Sequence, residues 1–192
     1  MFVDNIRIFA RAGKGGNGLV SFRRAKFVPK GGPDGGDGGD GGSVILEVDP
    51  HTNDLRSFFY DPKLIATDGV GGQSAKKHGK NGKSVIGKVP PGTIIYRSNA
   101  SSMAEATWLE REGEGIELEK IADLTEIGTR FTLCQGGLGG KGNWHFRSAT
   151  NQAPTEAEMG TEGEEGVFFM ELRRIADAGL VGYPNAGKST LL

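Results

Sequence analysis

The sequence predicts a mainly β domain from which glycine-rich polyproline II helices project, followed by the start of an α/β nucleotide-binding domain. Three observations support this prediction. Glycine recurs every third residue in Gly31–Gly42 and, more loosely, in a second repeat that begins at Gly69 and a third that begins at Gly136. β-type segments follow the glycine runs, and a phosphate-binding motif lies at Gly182–Ser189. A period of three matches the polyproline II helix and neither the α-helix nor the β-strand. We place the glycine-rich β domain at residues 1–166, and the linking strand with the start of the second domain at residues 167–192.

The glycine run Gly31–Gly42 reads GGPDGGDGGDGG, a composition that usually indicates a flexible linker. Because the pattern occurs three times along the chain, a repeated rigid element is favoured instead. A polyproline II helix has no internal hydrogen bonds, and bare glycine faces allow neighbouring backbones to approach and bond to one another. We therefore expect a bulky residue at Gly36 or Gly39 to unfold the domain.

Aspartates occupy the position that the glycines leave in each three-residue repeat of this run. The spacing resembles calcium-binding repeats, but the large apolar residue that such repeats need is replaced by Gly42. Aspartates three apart on a polyproline II helix would lie about 9 Å apart, too far to share one ion. We therefore expect Asp34, Asp37 and Asp40 to form a solvated edge, and we expect Asp37→Asn to be nearly silent.

The segments around the glycine runs have the patterns of strands. Residues 2–12 alternate in polarity, with isoleucine and alanine on the more apolar face. Ala104–Glu112 is ambiguous between helix and strand, and alternation at Ile116 and Leu118 predicts a strand after it. The other predicted strands are Val44–Val48, Val85–Val89, Thr93–Tyr96 and Val167–Leu172.

Composition excludes several classes of protein. The single cysteine, Cys134, permits no intramolecular disulfide, which suits a reducing compartment. Charged residues at Asp4, Arg7 and Arg11 are incompatible with a signal peptide, and no apolar run approaches the ~18 residues of a membrane span. We therefore expect a soluble, cytoplasmic protein, and we also expect a monomer.

The histidines and the cysteine do not indicate a metal site or a catalytic site. His51, His78 and His145 have no partners at the spacing of metal ligands, and Cys134 lies in a predicted strand. Zinc binding and Cys-His catalysis are therefore not supported.

Charge is unevenly distributed: positions 1–100 hold 15 basic and 9 acidic residues, and the rest of the chain holds 8 and 15. No acidic residue occurs at positions 5–33, 69–104 or 127–155, which contain the glycine loops. Cations interleaved there with aromatic residues (Phe22, Phe27, Trp144 and Phe146) favour RNA, which combines phosphate attraction with base stacking. The alternative is that the basic loops only confer solubility and the rings belong to the core. The candidate RNA-binding residues are Arg23, Arg24, Lys26, Lys30, Lys76, Lys77, Lys80, Lys83, Lys141 and Arg147.

The motif that indicates chemistry is Gly182–Ser189, which matches the phosphate-binding loop G-x-x-x-x-G-K-[ST]. In such a loop the backbone N–H groups surround the phosphates, the lysine reaches the β- and γ-phosphates, and the hydroxyl of Ser189 ligates Mg²⁺. The predicted nucleotide-binding residues are Gly182, Tyr183, Pro184, Asn185, Ala186, Gly187, Lys188, Ser189 and Thr190. The other elements of such a nucleotide site lie farther along a sequence than the few residues that follow the loop here. We therefore expect the 192-residue chain neither to bind nor to hydrolyse nucleotide measurably, and we assign no catalytic residue in it.

Four segments closely resemble the Obg family of GTPases: FVDNIRIFARAGKGGNGLVSFRRAKFVPKGGPDGGDGGDGGSV, GKNGKSVIGKVPPGT, CQGGLGGKGN and IADAGLVGYPNAGKSTLL. The resemblance covers essentially all of the chain, which would be the first part of such a protein. It implies the Obg fold, in which six polyproline II helices stand on a small β-barrel, followed here by the first strand and P-loop of a truncated, Ras-like α/β G domain.

The resemblance also implies a function. It implies hydrolysis of GTP with Mg²⁺, action on the large ribosomal subunit and its rRNA during assembly, and a role in the stringent response through guanosine tetraphosphate. The tips of the glycine loops would reach the peptidyl-transferase region. Two departures from the family are visible. Ser98–Glu119 is longer and more acidic than the usual hairpin, and Ser84 replaces a commonly acidic residue, which puts one contact between helices in doubt.

Two other functions stay open at this point. In the first, the glycine domain is a scaffold that docks a protein partner or regulates its own G domain without direct RNA contact. In the second, the protein is a nucleotide-binding enzyme whose N-terminal domain gates access of the substrate.

Overall fold

The computed structural model describes residues 3–24, 26, 31–100, 102–112 and 117–173, without the side chains of residues 108–112. A mainly β protein with few helices is confirmed in these ranges. The strands are β1 (Asn5–Arg11), β2 (Val44–Val48), β3 (Lys63–Ile65), β4 (Val85–Val89), β5 (Thr93–Ser98), β6 (Leu118–Leu124), β7 (Arg130–Cys134) and β8 (Glu165–Leu172). The helices are α1 (Arg56–Tyr60), α2 (Met103–Glu112) and a 3₁₀ helix, Asn143–Phe146.

The strands form two sheets that share one hydrophobic core. The larger sheet has the order β3-β1-β8-β5-β6 and is antiparallel except for the β1–β3 pair. The smaller sheet has the order β4-β2-β7, with β2 parallel to β4 and antiparallel to β7. Ile8 and Phe168 of the larger sheet are buried in the same cluster as Leu46 and Val48 of the smaller one. Among the described strands no pairing joins the two sheets, so two open sheets stand where the resemblance implied a small barrel.

Strand β8 crosses the domain boundary that the sequence placed at residue 166. It pairs with β1 from Glu165 to Glu171 and with β5 from Phe168 to Leu172, so it lies at the centre of the larger sheet. A strand with hydrogen-bonded neighbours on both sides is part of the domain rather than a linker. We therefore move the proposed boundary to the end of β8.

The ambiguous stretch Ala104–Glu112 is helical, since α2 covers it. The hydroxyl of Ser102 accepts a hydrogen bond from the amide of Glu105 at 3.2 Å and caps the helix. The Ser-x-x-Glu spacing of these two residues is a known signal for a helix start. Ala106 packs with Val167 and Phe9 on the face of the larger sheet that points away from the main core.

Six extended segments form a bundle beside the sheets, which we term the glycine bundle. None of them is a strand or a helix, and they exchange backbone hydrogen bonds at every third residue. This is the bonding expected of polyproline II helices, since each backbone bonds to its neighbours rather than to itself. The segments are residues 13–19, 34–42, 67–73, 76–83, 136–142 and 158–164.

The central segment, 34–42, has no room for side chains on its glycine faces. A Cβ on Gly36 would lie 2.1 Å from the carbonyl oxygen of Lys77, and one on Gly39 would lie 2.3 Å from that of Lys80. Both obstacles are backbone atoms, so a side chain at either position would force the segments apart, in line with the effect expected from the sequence. Ser84, at which the resemblance put one contact between helices in doubt, accepts a hydrogen bond at its hydroxyl from the amide of Ser43 at 3.0 Å.

Candidate nucleic-acid interface

The end of the glycine bundle farthest from the sheets, which we term the tip, brings together loops from all three glycine repeats. It consists of the described residues in 19–24, 31–36, 73–78 and 142–147. Many of the cations predicted to bind RNA therefore lie on one region of the molecule, although they are distant in sequence.

Asp34 holds the loop of the second repeat at the tip. Ala75 and Lys76 have φ angles of 61° and 56°, left-handed conformations that are costly for residues with side chains. The carboxylate of Asp34 accepts a hydrogen bond from the amide of Ala75 at 3.2 Å, and the backbone carbonyl oxygen of Asp34 accepts one from the amide of Lys76 at 2.7 Å. These bonds offset the cost and fix the position of Lys76.

Asn143 joins the loops of the first and third repeats. Its side chain is fully buried, and its Oδ1 accepts a hydrogen bond from the amide of Gly35 at 2.9 Å. Its Nδ2 donates to the carbonyl oxygens of Ser21 and Pro154, each at 3.0 Å. The asparagine is therefore satisfied on both sides, as a buried amide must be, and it fixes the start of the 3₁₀ helix that carries Trp144.

Lys76 and Trp144 meet at the tip. The Nζ atom of Lys76 lies 4.0 Å from the centroid of the Trp144 ring, a cation–π contact between the second and third repeats. The ring of His145 lies 5.1 Å from the same indole, tilted by 55°. Trp144 nevertheless remains 39% exposed. The tip therefore presents an ordered aromatic ring beside a cation.

Asp37 binds both histidines of the tip. Its Oδ2 lies 2.8 Å from Nε2 of His145 and 3.5 Å from Nδ1 of His78, and its Oδ1 accepts a hydrogen bond from the amide of Gly142 at 2.7 Å. Burial alone would raise the pKa of Asp37, but the amide of Gly142 and the two histidines stabilise the carboxylate more strongly, so its pKa is lowered. The carboxylate therefore stays charged at neutral pH and holds three segments together.

The prediction that these aspartates form only a solvated edge is wrong. Besides Asp34 and Asp37, Asp40 accepts a hydrogen bond at its Oδ1 from the amide of Gly139 at 2.8 Å. The aspartates occupy every third position of the central segment, and amides of neighbouring segments lie beside these positions. Sequence reasoning missed this role, and it also missed the contacts of His78 and His145, because the partners are up to 108 positions apart. The regular spacing of the aspartates was the available signal.

Lys77, Lys80 and Lys83 form a row along the outer side of the segment 76–83. Their carbonyl oxygens face Gly36, Gly39 and Gly42 of the central segment, and the residues themselves are exposed. Lysines three apart on such a segment are about 9 Å apart. None of the three makes an ion pair with another described residue. The row is therefore an uncompensated line of positive charge that leads to the tip.

The remaining cations are distributed around the tip. Arg23 and Arg24 line a cleft of about 700 Å³ together with Phe22 and Ala75. Lys26, Lys141 and Arg147 are exposed. Lys30 and Phe27 lie outside the described residues.

The predicted phosphate-binding loop, residues 182–190, also lies outside the described residues, together with the Mg²⁺ ligand predicted at Ser189. Cys134 is buried on β7, and burial raises the pKa of its thiol to about 12, so it is an unreactive core residue at neutral pH. The residues that the structure describes contain no group of three or more side chains suited to a metal ion. No helix among them is long and apolar enough to cross a membrane.

Comparison with known proteins agrees with this architecture. The model of a family described as GTP1/OBG matches residues 3–174. Two relatives named GTPase Obg, from Methylacidiphilum infernorum and Nautilia profundicola, are each 50% identical over the whole chain, which covers 53% and 49% of their lengths. A third, from Chlorobium chlorochromatii, is 51% identical over the whole chain, which covers 52% of the length of that relative. The chain thus spans about half the length of these curated relatives. A family match over nearly the whole chain, together with identity near one half, shows that this chain belongs to the GTP1/OBG family.

Proposed function

We propose that this chain acts in a ribosome-associated GTPase, and that its glycine bundle docks on the RNA of the large ribosomal subunit. The observation that carries the proposal is that an exposed tryptophan and the arginine-lined cleft lie at one end of the bundle and that an uncompensated lysine row leads to this end. Phosphates attract such cations, and bases stack on such rings.

The stiffness of the glycine bundle supports docking. Its segments are joined by backbone hydrogen bonds at every third residue and by carboxylates such as those of Asp37 and Asp40. Because these bonds fix the loops before binding, little conformational freedom is lost when the tip meets its partner. A rigid projection of this kind can reach into a deep site that a globular surface cannot enter.

The nucleotide site is the second part of the proposal. Residues 182–190 supply backbone amides, the ammonium of Lys188 and the hydroxyl of Ser189, a donor set that fits the phosphates of GTP or GDP and a Mg²⁺ ion. The relatives are named GTPases, which supports GTP hydrolysis as the reaction of the whole protein. The 192-residue chain by itself would be inactive. We place the protein in the cytoplasm, in assembly of the large subunit and in the stress response in which guanosine tetraphosphate takes part.

The test is the salt dependence of binding to purified large subunits. The variant Lys77→Gln/Lys80→Gln/Lys83→Gln removes the lysine row and leaves the contact between Lys76 and Trp144 intact. We expect weaker binding, and we expect the slope of log K against log salt to become shallower by about 2 to 3, because about 0.7 to 0.9 is lost for each phosphate contact.

The matched control for this test removes the same charge elsewhere. Lys63→Gln/Lys88→Gln/Lys120→Gln changes exposed lysines on β3, β4 and β6 and should leave both affinity and slope close to those of the unaltered chain. If both triple variants weaken binding equally, attraction depends on net charge alone and the lysine row has no special role.

One observation favours a second function, docking of a protein partner. Leu138 and Met159 are 66% and 82% exposed on neighbouring segments, which are joined by the bond from the amide of Thr161 to the carbonyl oxygen of Leu138. Exposed apolar side chains of this size are common at protein contacts. If Leu138→Ser/Met159→Ser abolishes binding to large subunits while the lysine variant does not, protein docking replaces RNA docking.

A further inference from the structure

We propose that Trp144 is a stacking platform for one unpaired RNA nucleotide, and that Lys76 and His145 hold its indole ready for that base. The inference rests on the proposed RNA docking and names the part of the tip that recognises a base rather than a phosphate. Its support is a set of contacts that order the Trp144 ring although the ring is partly exposed. Folding of the domain alone does not require an ordered ring at an exposed position.

The first step concerns the position of Trp144. It directly follows Asn143, whose buried amide is bonded to Gly35, Ser21 and Pro154. His145, on its other side, is held by Asp37 at 2.8 Å. The backbone on both sides of the indole is therefore fixed, and so is the direction in which the indole projects. Large aromatic side chains are usually buried for packing, yet this residue keeps 39% of its surface exposed at the tip of the bundle.

The second step concerns the partners of the ring. Lys76 lies over the indole at 4.0 Å, and its backbone is held in the left-handed region by Asp34. A cation on an aromatic ring orders the side chain without covering all of it. The ammonium also lies close to any phosphate that belongs to a base stacked on the exposed part of the indole. One site thus offers a π surface and a positive charge, the combination found in single-strand binding proteins.

The third step concerns the cleft to which this part of the tip is bonded. The carbonyl oxygen of Ser21 accepts hydrogen bonds both from Nδ2 of Asn143 and from the amide of Asp34. Ser21 and Asp34 line a cleft, so the residue that precedes Trp144 is bonded to the wall of that cleft. That cleft of about 700 Å³ also carries Arg23 and Arg24. Its volume is within the range of small-ligand sites, and its arginines suit a neighbouring phosphate. The polar groups of Ser21, Ser74 and Asp34, which also line it, suit the hydroxyls of a sugar. A duplex would not fit this arrangement, because paired bases are already stacked and cannot offer a face to the indole.

The experiment measures binding of three labelled probes by fluorescence anisotropy at low salt, using the 192-residue chain. The probes are a sixteen-nucleotide single-stranded RNA, a blunt-ended eight-base-pair RNA duplex of equal charge, and a heparin fragment, which has charge but no bases. We expect Trp144→Leu to weaken binding of the single strand about tenfold and Trp144→Phe to weaken it less than about threefold, since the stacking contact is lost only in the first. Binding of heparin should change by less than twofold in both variants.

A matched control and an independent readout keep this test interpretable. Tyr60→Leu removes another exposed aromatic ring, on α1, and should leave all three affinities unchanged. In a Trp108→Phe background Trp144 is the single tryptophan, and its fluorescence should be quenched by the single-stranded RNA and not by heparin. Thermal melting of each variant shows whether the domain is folded.

Three results would overturn the proposal: equal loss of heparin and RNA binding in Trp144→Leu, equal or tighter binding of the duplex, or single-strand binding that does not change in Trp144→Leu. Failure of the proposed function gives a different result. If the chain does not bind large subunits but its binding of single-stranded RNA depends on Trp144, the platform stands and the ribosomal partner is wrong. If it binds large subunits while its RNA affinity is independent of Trp144, ribosome docking stands and the platform is wrong.

Discussion

At the residue scale, Asp37 shows how a repeated aspartate can stabilise a bundle that has few apolar contacts. One carboxylate contacts the amide of Gly142 and the rings of His145 and His78, so three segments meet at a side chain that is only 17% exposed. Hydrogen bonds to a charged acceptor are stronger than those to a neutral one. The glycines make close packing possible, and the aspartates connect the packed segments.

This account predicts that Asp37→Asn is destabilising rather than silent. We expect a loss of about 1.5 to 3 kcal/mol in the free energy of unfolding at pH 7, the usual range for a hydrogen bond to a charged group. The measurement is chemical denaturation of the chain and the variant. Asp123→Asn, which removes an exposed carboxylate on β6, is the control and should change stability by less than about 0.5 kcal/mol.

The same variant has a predictable pH dependence. The pKa of Asp37 is lowered in the folded chain, so its contribution is fully present above the unfolded pKa, near 3.9, and is lost as the pH falls through the folded pKa. The stability difference between the chain and Asp37→Asn should therefore be largest near neutral pH and should shrink below about pH 4. A difference that is the same at pH 7 and pH 3 would show that charge on Asp37 is not the cause.

At the scale of elements, β8 decides where the domain ends. It lies between β1 and β5, and it supplies Phe168, Met170 and Leu172 to the core. A sheet that loses its central strand leaves two rows of backbone groups without partners and exposes a large apolar surface. The helix α2 is attached to the same strand through Val167, so its packing depends on β8 as well.

We therefore predict that residues 1–166 do not fold on their own and that residues 1–173 do. Thermal melting followed by circular dichroism should show a cooperative transition for 1–173, close to that of the whole chain, and no cooperative transition for 1–166. A cooperative transition of 1–166 at the same temperature would place the boundary back before Val167 and would make β8 a dispensable linker strand.

At the scale of the whole molecule, local periodicity allowed much of the fold to be predicted. The period-three glycines indicated the segments of the bundle, alternation indicated β1, and β-type residues indicated β2, β4, β5 and β8. The sequence did not reveal the order of the strands or the contacts at the tip. These depend on the register of segments far apart in the chain, such as that of Asp37 with His145 and that of Asn143 with Gly35. The nature of α2 was open in the sequence because its residues show only a weak helical periodicity.

The charged residues of the candidate site could be predicted from the sequence, but their arrangement in three dimensions could not. Acid-free windows identified most of the cations that lie around the tip, because clustered charge is visible in the sequence. The pairing of Lys76 with Trp144 was not visible, since it joins two repeats through a turn that Asp34 stabilises. The phosphate-binding loop stays a prediction, supported by its motif and by the family to which the chain belongs.

The central claim, that the tip of the glycine bundle meets the RNA of the large subunit, is tested most directly by site-directed hydroxyl-radical probing. An iron chelate is attached to Ser74→Cys at the tip or to Glu119→Cys on β6, and the buried Cys134, with its pKa raised to about 12, remains unlabelled. The chelate at Ser74→Cys should cut the large-subunit RNA at a few defined positions, and the chelate at Glu119→Cys should cut it much less. Strong cleavage from Glu119→Cys with none from Ser74→Cys would contradict the claim.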